Sequence, residues 1–174
     1  MTGADTVDRA PVGPDVVLAE HQRVVAAGEH LLQRLSFRDV DHDGADLAVE
    51  LDVDARVTNP RGALQGGLLA TLVDVVAGRA VLQAAPAPLT GIATADLSVH
   101  YLQGLTRGPA RAVATVARLG RSLAVVTVDV LDMGTGERCA VATVSFSVAP
   151  PEPPSPRTPV PNDRRSAGPD HQEQ

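Results

Sequence analysis

The sequence predicts an α+β domain in which one curved antiparallel sheet wraps around a single long helix. Three observations predict it. Residues 66–84, GGLLATLVDVVAGRAVLQA, make a helix that is apolar on almost every side, and such a helix has to be enclosed by protein. Four β-rich segments follow at about 92–102, 108–119, 121–132 and 138–148, with the β-branched content and short turns of an antiparallel meander. Only one sheet is available to cover the rod, so the sheet must curl around it.

The elements follow in order. Residues 1–14 are polar, with Pro11 and Pro14, and read as a disordered lead-in. Pro14-Asp15 is a good helix entry, and Val17, Leu18, Val24, Val25, Leu31 and Leu32 recur at helical spacing, which predicts one helix over 14–35. Over 46–55, Leu47, Val49, Leu51 and Val53 alternate with Ala48, Glu50, Asp52 and Asp54, the pattern of a half-buried strand. FRDVDHDG before it supplies a partner strand, with Asp43-Gly44 at the turn. APAPLTG breaks the chain after the long helix, and a turn around Gly134 and Gly136 joins the last two strands. Residues 149–174 are rich in Pro and charge and lack apolar periodicity, which predicts a disordered tail. The folded domain is thus expected over 15–148.

Composition narrows the classes. A 174-residue chain with a 44% hydrophobic fraction can hold one domain with a real core, but aromatics are only 2%. A core of Val, Leu and Ala buries less area per residue, which favours an oligomer that covers more surface. Net charge is −6, and all fifteen basic residues are Arg without a dense basic stripe, which argues against a nucleic-acid partner. Cys139, the single cysteine, permits no intramolecular disulfide and gives no metal-site spacing. The N-terminus lacks a signal-peptide core. The apolar part of 68–82 falls short of the roughly 18 residues of a membrane span and contains Asp74 and Arg79. The expectation is a soluble cytoplasmic protein without a membrane partner.

Asp74 is the anomaly of the long helix. Gly67, Thr71, Asp74 and Gly78 are spaced by four, three and four and share one face. A buried unpaired carboxylate costs several kcal/mol unless it is neutralised or well hydrogen-bonded. One reading is a close helix–strand approach, with Asp74 paired to Arg79 or another Arg. The other reading is chemical. GALQGG places two glycines at the helix mouth, where free N–H groups and the positive dipole end can hold an oxygen that gains negative charge. Asp74 lies about two turns deeper. An acid and a polarising amide, preceded by Asn59, are two parts of an acyl-transfer site.

The segments VTNPRGALQGGLLATLVDVVAG, TGIATADLSVHYLQGLTRG and ARLGRSLAVVTVDVLDMGTGERCAVATVSFSV resemble the hotdog-fold acyl-CoA thioesterases. The nearest branch is the phenylacetate-pathway and human thioesterase-superfamily-member type, and the likeness runs over about residues 45–148. It implies the hotdog fold, homodimers often paired into homotetramers, and acyl-CoA bound between subunits. By the same resemblance Asn59 is the loop amide that helps hold substrate or water, and Gly66 carries the N–H that polarises the thioester carbonyl. Asp74 becomes the general base or nucleophile, and Thr94 positions the water. Gly67 is counted with the turn Gly120, Arg121 and Ser122 as the contact to CoA. No metal or redox cofactor is implied.

One position departs from the pattern. Gln65 stands where the family usually has His, and Gln can donate an N–H but cannot carry a proton at neutral pH. Two other readings therefore stay open: a non-catalytic acyl-CoA-binding module, which Gln65 favours, and a hydratase or dehydratase, which no histidine flanking Asp74 supports. His100, between apolar strand neighbours, reads as a structural histidine, and Cys139 as strand packing.

Overall fold

The computed structural model describes residues 14–149. The lead-in before Pro14 and the Pro-rich tail lie outside the described residues. The chain forms α1 (Pro14–Ala26), α2 (Leu31–Arg34), β1 (Phe37–Val40), β2 (Leu47–Leu51), α3 (Gly66–Ala84), β3 (Gly91–Tyr101), β4 (Ala110–Leu119), β5 (Leu123–Asp132) and β6 (Glu137–Ala149).

The helix expected over 14–35 is two helices. Gly28, at φ +70°, takes the left-handed conformation that stops α1, and α2 begins afresh. His30 caps it: its Nδ1 accepts the Leu32 N–H at 3.3 Å, while the His30 N–H donates to Gln33 Oε1 at 3.3 Å. Apolar spacing continued through the break and hid it. The strand expected over 46–55 ends at Leu51, and Asp54 instead accepts the Arg56 N–H and guanidinium in a tight turn.

One six-stranded sheet has the order β1-β2-β4-β5-β6-β3, and every neighbouring pair is antiparallel. Only β4, β5 and β6 form the expected meander. β3 lies at the far edge against β6, with Thr94 opposite Phe146 and Tyr101 opposite Ala140. Between Thr94 and Asp96 the register slips; Ala95 is the extra residue of a bulge, so Thr94 and Leu97 face the same side.

That side holds the core. α3 buries Leu69, Leu72, Val73, Val76, Ala77, Ala80 and Val81 against every second residue of the strands. β4 presents Ala110, Ala112 and Ala114, all fully buried, and these small side chains let the helix approach closely. β5 and β6 supply Val126, Val130, Val144 and Phe146. Each buried Val or Leu contributes about 1.5–3 kcal/mol, so a core with almost no aromatics holds by number. Contrary to the count made on the sequence, α3 is long and apolar enough to cross a membrane by length and composition, with a hydropathy of 1.5. Seven of its residues are core beneath the sheet.

A carboxylate fixes the connection from β3 to β4. Asp132 is 1% exposed, and its oxygens accept the N–H groups of Thr106 (2.9 Å), Arg107 (2.9 Å), Gly108 (2.8 Å) and Gly134 (3.0 Å). Burial pushes its pKa up, but the four backbone donors outweigh burial and hold it below the usual carboxylate range. Gly108 is at φ +59°, where a Cβ would come within 2.7 Å of Val53. The connection so held passes the mouth of α3, where Leu105 O accepts the Leu64 N–H at 2.8 Å.

Candidate active site

The loop before α3 is built from its own backbone. Asn59 Oδ1 accepts the N–H groups of Arg61 (2.9 Å) and Ala63 (3.3 Å), and the Asn59 N–H donates to Ala63 O at 2.8 Å. The side-chain carbonyl of Asn59 is therefore committed to shaping the loop. Gln65 caps the helix in an extended conformation (φ −62°, ψ 132°) without a side-chain bond to the cap. Its backbone N–H is anchored on Val57 O at 2.9 Å, and its carbonyl accepts both Leu68 and Leu69 N–H at 3.0 Å.

That arrangement leaves two donors over. Among the described residues the N–H groups of Gly66 and Gly67 have no protein acceptor. They project from the positive end of a nineteen-residue helix. Neither position needs glycine for the chain's own sake. Neither has a positive φ; an added Cβ would meet Tyr101 at 3.6 Å from residue 66 and Gln65 Oε1 at 3.7 Å from residue 67, ordinary contacts. What glycine provides here is open space over two free amides.

Among the described residues Asp74 pairs with no guanidinium. Thr94 Oγ1 donates to its Oδ1 at 2.8 Å, while Arg79 reaches across to Asp39 at 2.5 Å. The carboxylate is half-buried at the seam between α3 and the exposed edge strand β3. On the same helix face Thr71 Oγ1 donates to Gly67 O at 2.9 Å, and a Cβ on Gly78 would meet the Phe146 ring at 3.6 Å. The polar stripe thus combines close helix–strand approach at Gly78 with a carboxyl at Asp74 held by the Thr94 hydroxyl.

Not all the expected residues meet. Eight residues at about 1.5 Å each set Asp74 roughly 12 Å along the axis from Gly66. The turn Gly120–Arg121–Ser122 closes β4 onto β5, with the Gly120 N–H on Leu123 O at 2.8 Å and Ser122 O accepting the Val148 N–H at 3.1 Å. Val148 pairs with Ile92, so the turn sits beside the start of β3. The helix mouth sits at its end, beside Tyr101. From Ile92 to Tyr101 the strand spans roughly 30 Å. Within one chain the turn and the mouth are apart.

Five further features complete the surroundings. Tyr101, which carries no sequence signal beyond closing a strand, donates its hydroxyl to Gly66 O at 2.8 Å. A cavity of about 430 Å³ opens beside the mouth, lined by the apolar Leu31, Leu35, Leu51, Val57 and Leu68 and by the charged Arg34, Asp52, Asp54 and Arg56; another of about 580 Å³, lined by Asp39, Asp41, His42 and Gln83, lies at the other end of α3. Cys139 is buried, and burial first, then the charge of Asp132, raises its thiol pKa, which leaves it unreactive. His100 is exposed beside Thr127 and Asp129, not packed in the core.

Comparison with known proteins bears on this arrangement directly. A thioesterase superfamily model matches residues 61–139, from the loop before α3 into β6. A protein of Halobacterium salinarum that bears the name "putative esterase" is 33% identical over 136 residues, which are 75% of this chain and 83% of that protein. The chain belongs to the thioesterase superfamily. The fold of this thioesterase-superfamily chain is shared by a thioesterase of Pseudomonas aeruginosa (TM-score 0.64, 23% identity, 74% of this chain and 93% of that one). It is shared too by zebrafish thioesterase superfamily member 2 (TM-score 0.59, 23% identity, 75% and 96%). A Bacillus halodurans protein solved with CoA matches at TM-score 0.62 and 26% identity, over 84% of this chain and 99% of that one. Membership makes the chain a thioester hydrolase in general class, on the hotdog fold.

Proposed function

We propose that the chain hydrolyses an acyl-CoA thioester to the free acid and CoA. The observation that carries this reading is the pair of unsatisfied amides at Gly66 and Gly67, exposed by glycines that nothing in the chain's own packing demands. The thioester oxygen rests on them, and an oxyanion donor of this kind is worth about 10²–10³-fold. Asp74 takes a proton from the attacking water and CoA thiolate leaves, or Asp74 attacks the carbonyl itself, CoA thiolate leaves, and water then hydrolyses the resulting mixed anhydride to the free acid. Thr94 orients the carboxylate through its hydroxyl. Gln65 and the Asn59 loop frame the mouth, with Gln65 donating from its side-chain amide where a charged group is not required.

The site takes parts from two chains. From a helix-mouth amide through the carbonyl and one water to a carboxylate is less than about 9 Å, short of the roughly 12 Å between Gly66 and Asp74 on one helix. In a homodimer, or a tetramer of dimers, Asp74 and Thr94 of one subunit work on a thioester held at Gly66 of the other. The turn Gly120–Arg121–Ser122 holds CoA, a ligand class supported by the CoA-bound Bacillus halodurans relative, while Gly67, counted with CoA by resemblance, serves here as a second donor to the thioester oxygen. The acyl arm runs past Leu68 along the leucine and valine wall of the neighbouring cavity. No resident cofactor enters, and the setting is the cytoplasm.

The test is thiol release from a panel of acyl-CoAs, followed with a thiol-trapping reagent. Asp74→Asn is expected to lower kcat about 10²–10⁴-fold and to leave CoA binding nearly unchanged. CoA binding without thiol release from any substrate would overturn the reading in favour of a non-catalytic acyl-CoA module, the alternative that Gln65 favours.

A further inference from the structure

Among the described residues Gly66 and Gly67 are both free donors, and the peptide between them is held by a side chain as well as by the helix. The peptide unit that joins them has the Gly66 carbonyl at one end and the Gly67 N–H at the other. Tyr101 donates its hydroxyl to that carbonyl at 2.8 Å, and its ring lies against Gly66, 3.6 Å from where a Cβ would stand. The Gly66 N–H belongs to the preceding peptide unit, whose Gln65 carbonyl accepts only the Leu68 and Leu69 amides among the described residues.

We propose that Tyr101 is a positioning residue that orients and polarises the Gly66–Gly67 peptide, making the Gly67 N–H a stronger donor to the thioester oxygen than the helix alone would make it. The proposal rests on the hydrolytic reading of the helix mouth. A hydrogen bond accepted by a carbonyl draws charge through the peptide and strengthens its own N–H, by roughly 10–30% per bond. Applied to a donor worth about 10²–10³-fold, that strengthening amounts to about two- to eightfold in rate. The Gly66 carbonyl has a second lone pair for the helical bond from four residues on, so the tyrosine adds to the helix without competing with it. Tyr101 is 54% exposed, so the bond adds little to stability. Its effect falls on the orientation and charge of one peptide.

The composition makes the test clean. Tyr101 is the single tyrosine of the chain, which has no tryptophan, so fluorotyrosine supplied in the growth medium labels this position alone. Tyr101→Phe keeps the ring and is expected to lower kcat about two- to eightfold, with KM within twofold and an unchanged melting curve. 3-Fluorotyrosine, a stronger donor, is expected to raise kcat above that of the unaltered chain, assayed below neutral pH so that the hydroxyl stays protonated. A ketone analogue of the thioester, isotope-labelled at its carbonyl carbon, is expected to show an infrared carbonyl band that moves in Tyr101→Phe toward its position in water. Identical kcat and an unmoved band in Tyr101→Phe would overturn the proposal. Should the unaltered chain release no thiol, the hydrolytic reading falls, and the band of the bound analogue still decides the role of Tyr101.

Discussion

Asp74 shows how much a single position can disclose and where it stops. Its lone place on an apolar helix marked it as a residue that must be compensated, but the residue that compensates it is twenty positions away, on the edge strand. Composition left Arg79 as a candidate partner while its five-residue separation spoke against a direct contact, and the structure turns Arg79 toward Asp39. Thr94 was reachable only through resemblance, because no local pattern says which hydroxyl of a strand will face a helix after a bulge. Tyr101 was not reachable at all. The Thr94–Asp74 bond makes a specific forecast. A hydrogen bond to a charged group is worth about 1.5–3 kcal/mol, and the half-exposed setting reduces this toward the lower end. Thr94→Val should therefore lower kcat about tenfold with KM nearly unchanged, while Thr94→Ser should restore most of it. Steady-state thiol release checks both, and equal rates for Val and Thr would show that the hydroxyl does not act through Asp74.

The elements were legible where a pattern is local. α3 begins and ends where the sequence placed it, and four strands lie within a residue or two of their expected bounds. The break at Gly28 was obscured because apolar spacing ran on through it. Asp132 was missed for another reason: as the last residue of an alternating strand it resembled a solvated end, while its four donors come mainly from a connection some twenty-five residues earlier. Its lowered pKa has a definite consequence for stability. Because the folded value lies below the unfolded value of about 3.9, the carboxylate stabilises the fold at every pH above that. The contribution is lost as pH falls through the lower, folded value. Asp132→Ala should cost about 3 kcal/mol or more at neutral pH, since four buried N–H groups lose their acceptor. Its stability should also depend less on pH over the acidic range. Urea midpoints measured from neutral to acidic pH test both statements.

For the whole molecule, the fold class was legible and the strand order was not. Alternation specifies which face of a strand is buried, but β3 alternates in the same way whether it pairs with β4 or with β6. The order β2-β4-β5-β6-β3 is decided by the route of the β3–β4 connection around the mouth of α3, which no periodicity records. That order leaves an eleven-residue strand at the edge of the sheet, with Ile92, Leu97 and Val99 only half-buried and Leu82 of α3 51% exposed. A long, half-apolar edge is a surface that proteins cover. A second copy of the chain covering it, with each Asp74 facing the other chain's helix mouth, is the arrangement that the proposed shared site calls for. Mixing two inactive variants separates this arrangement from a site contained in one chain. Gly66→Pro deletes an N–H and fills the mouth, while proline suits the first helical position; Asp74→Asn deletes the acid. In a mixed dimer with shared sites, one site receives both defects and the other receives neither. Random exchange of subunits should then restore about a quarter of the unaltered activity from two preparations that are each nearly inactive. If Gly66 and Asp74 of the same chain worked together, every site in every dimer would carry one defect, and unfolding and refolding the mixture would recover nothing.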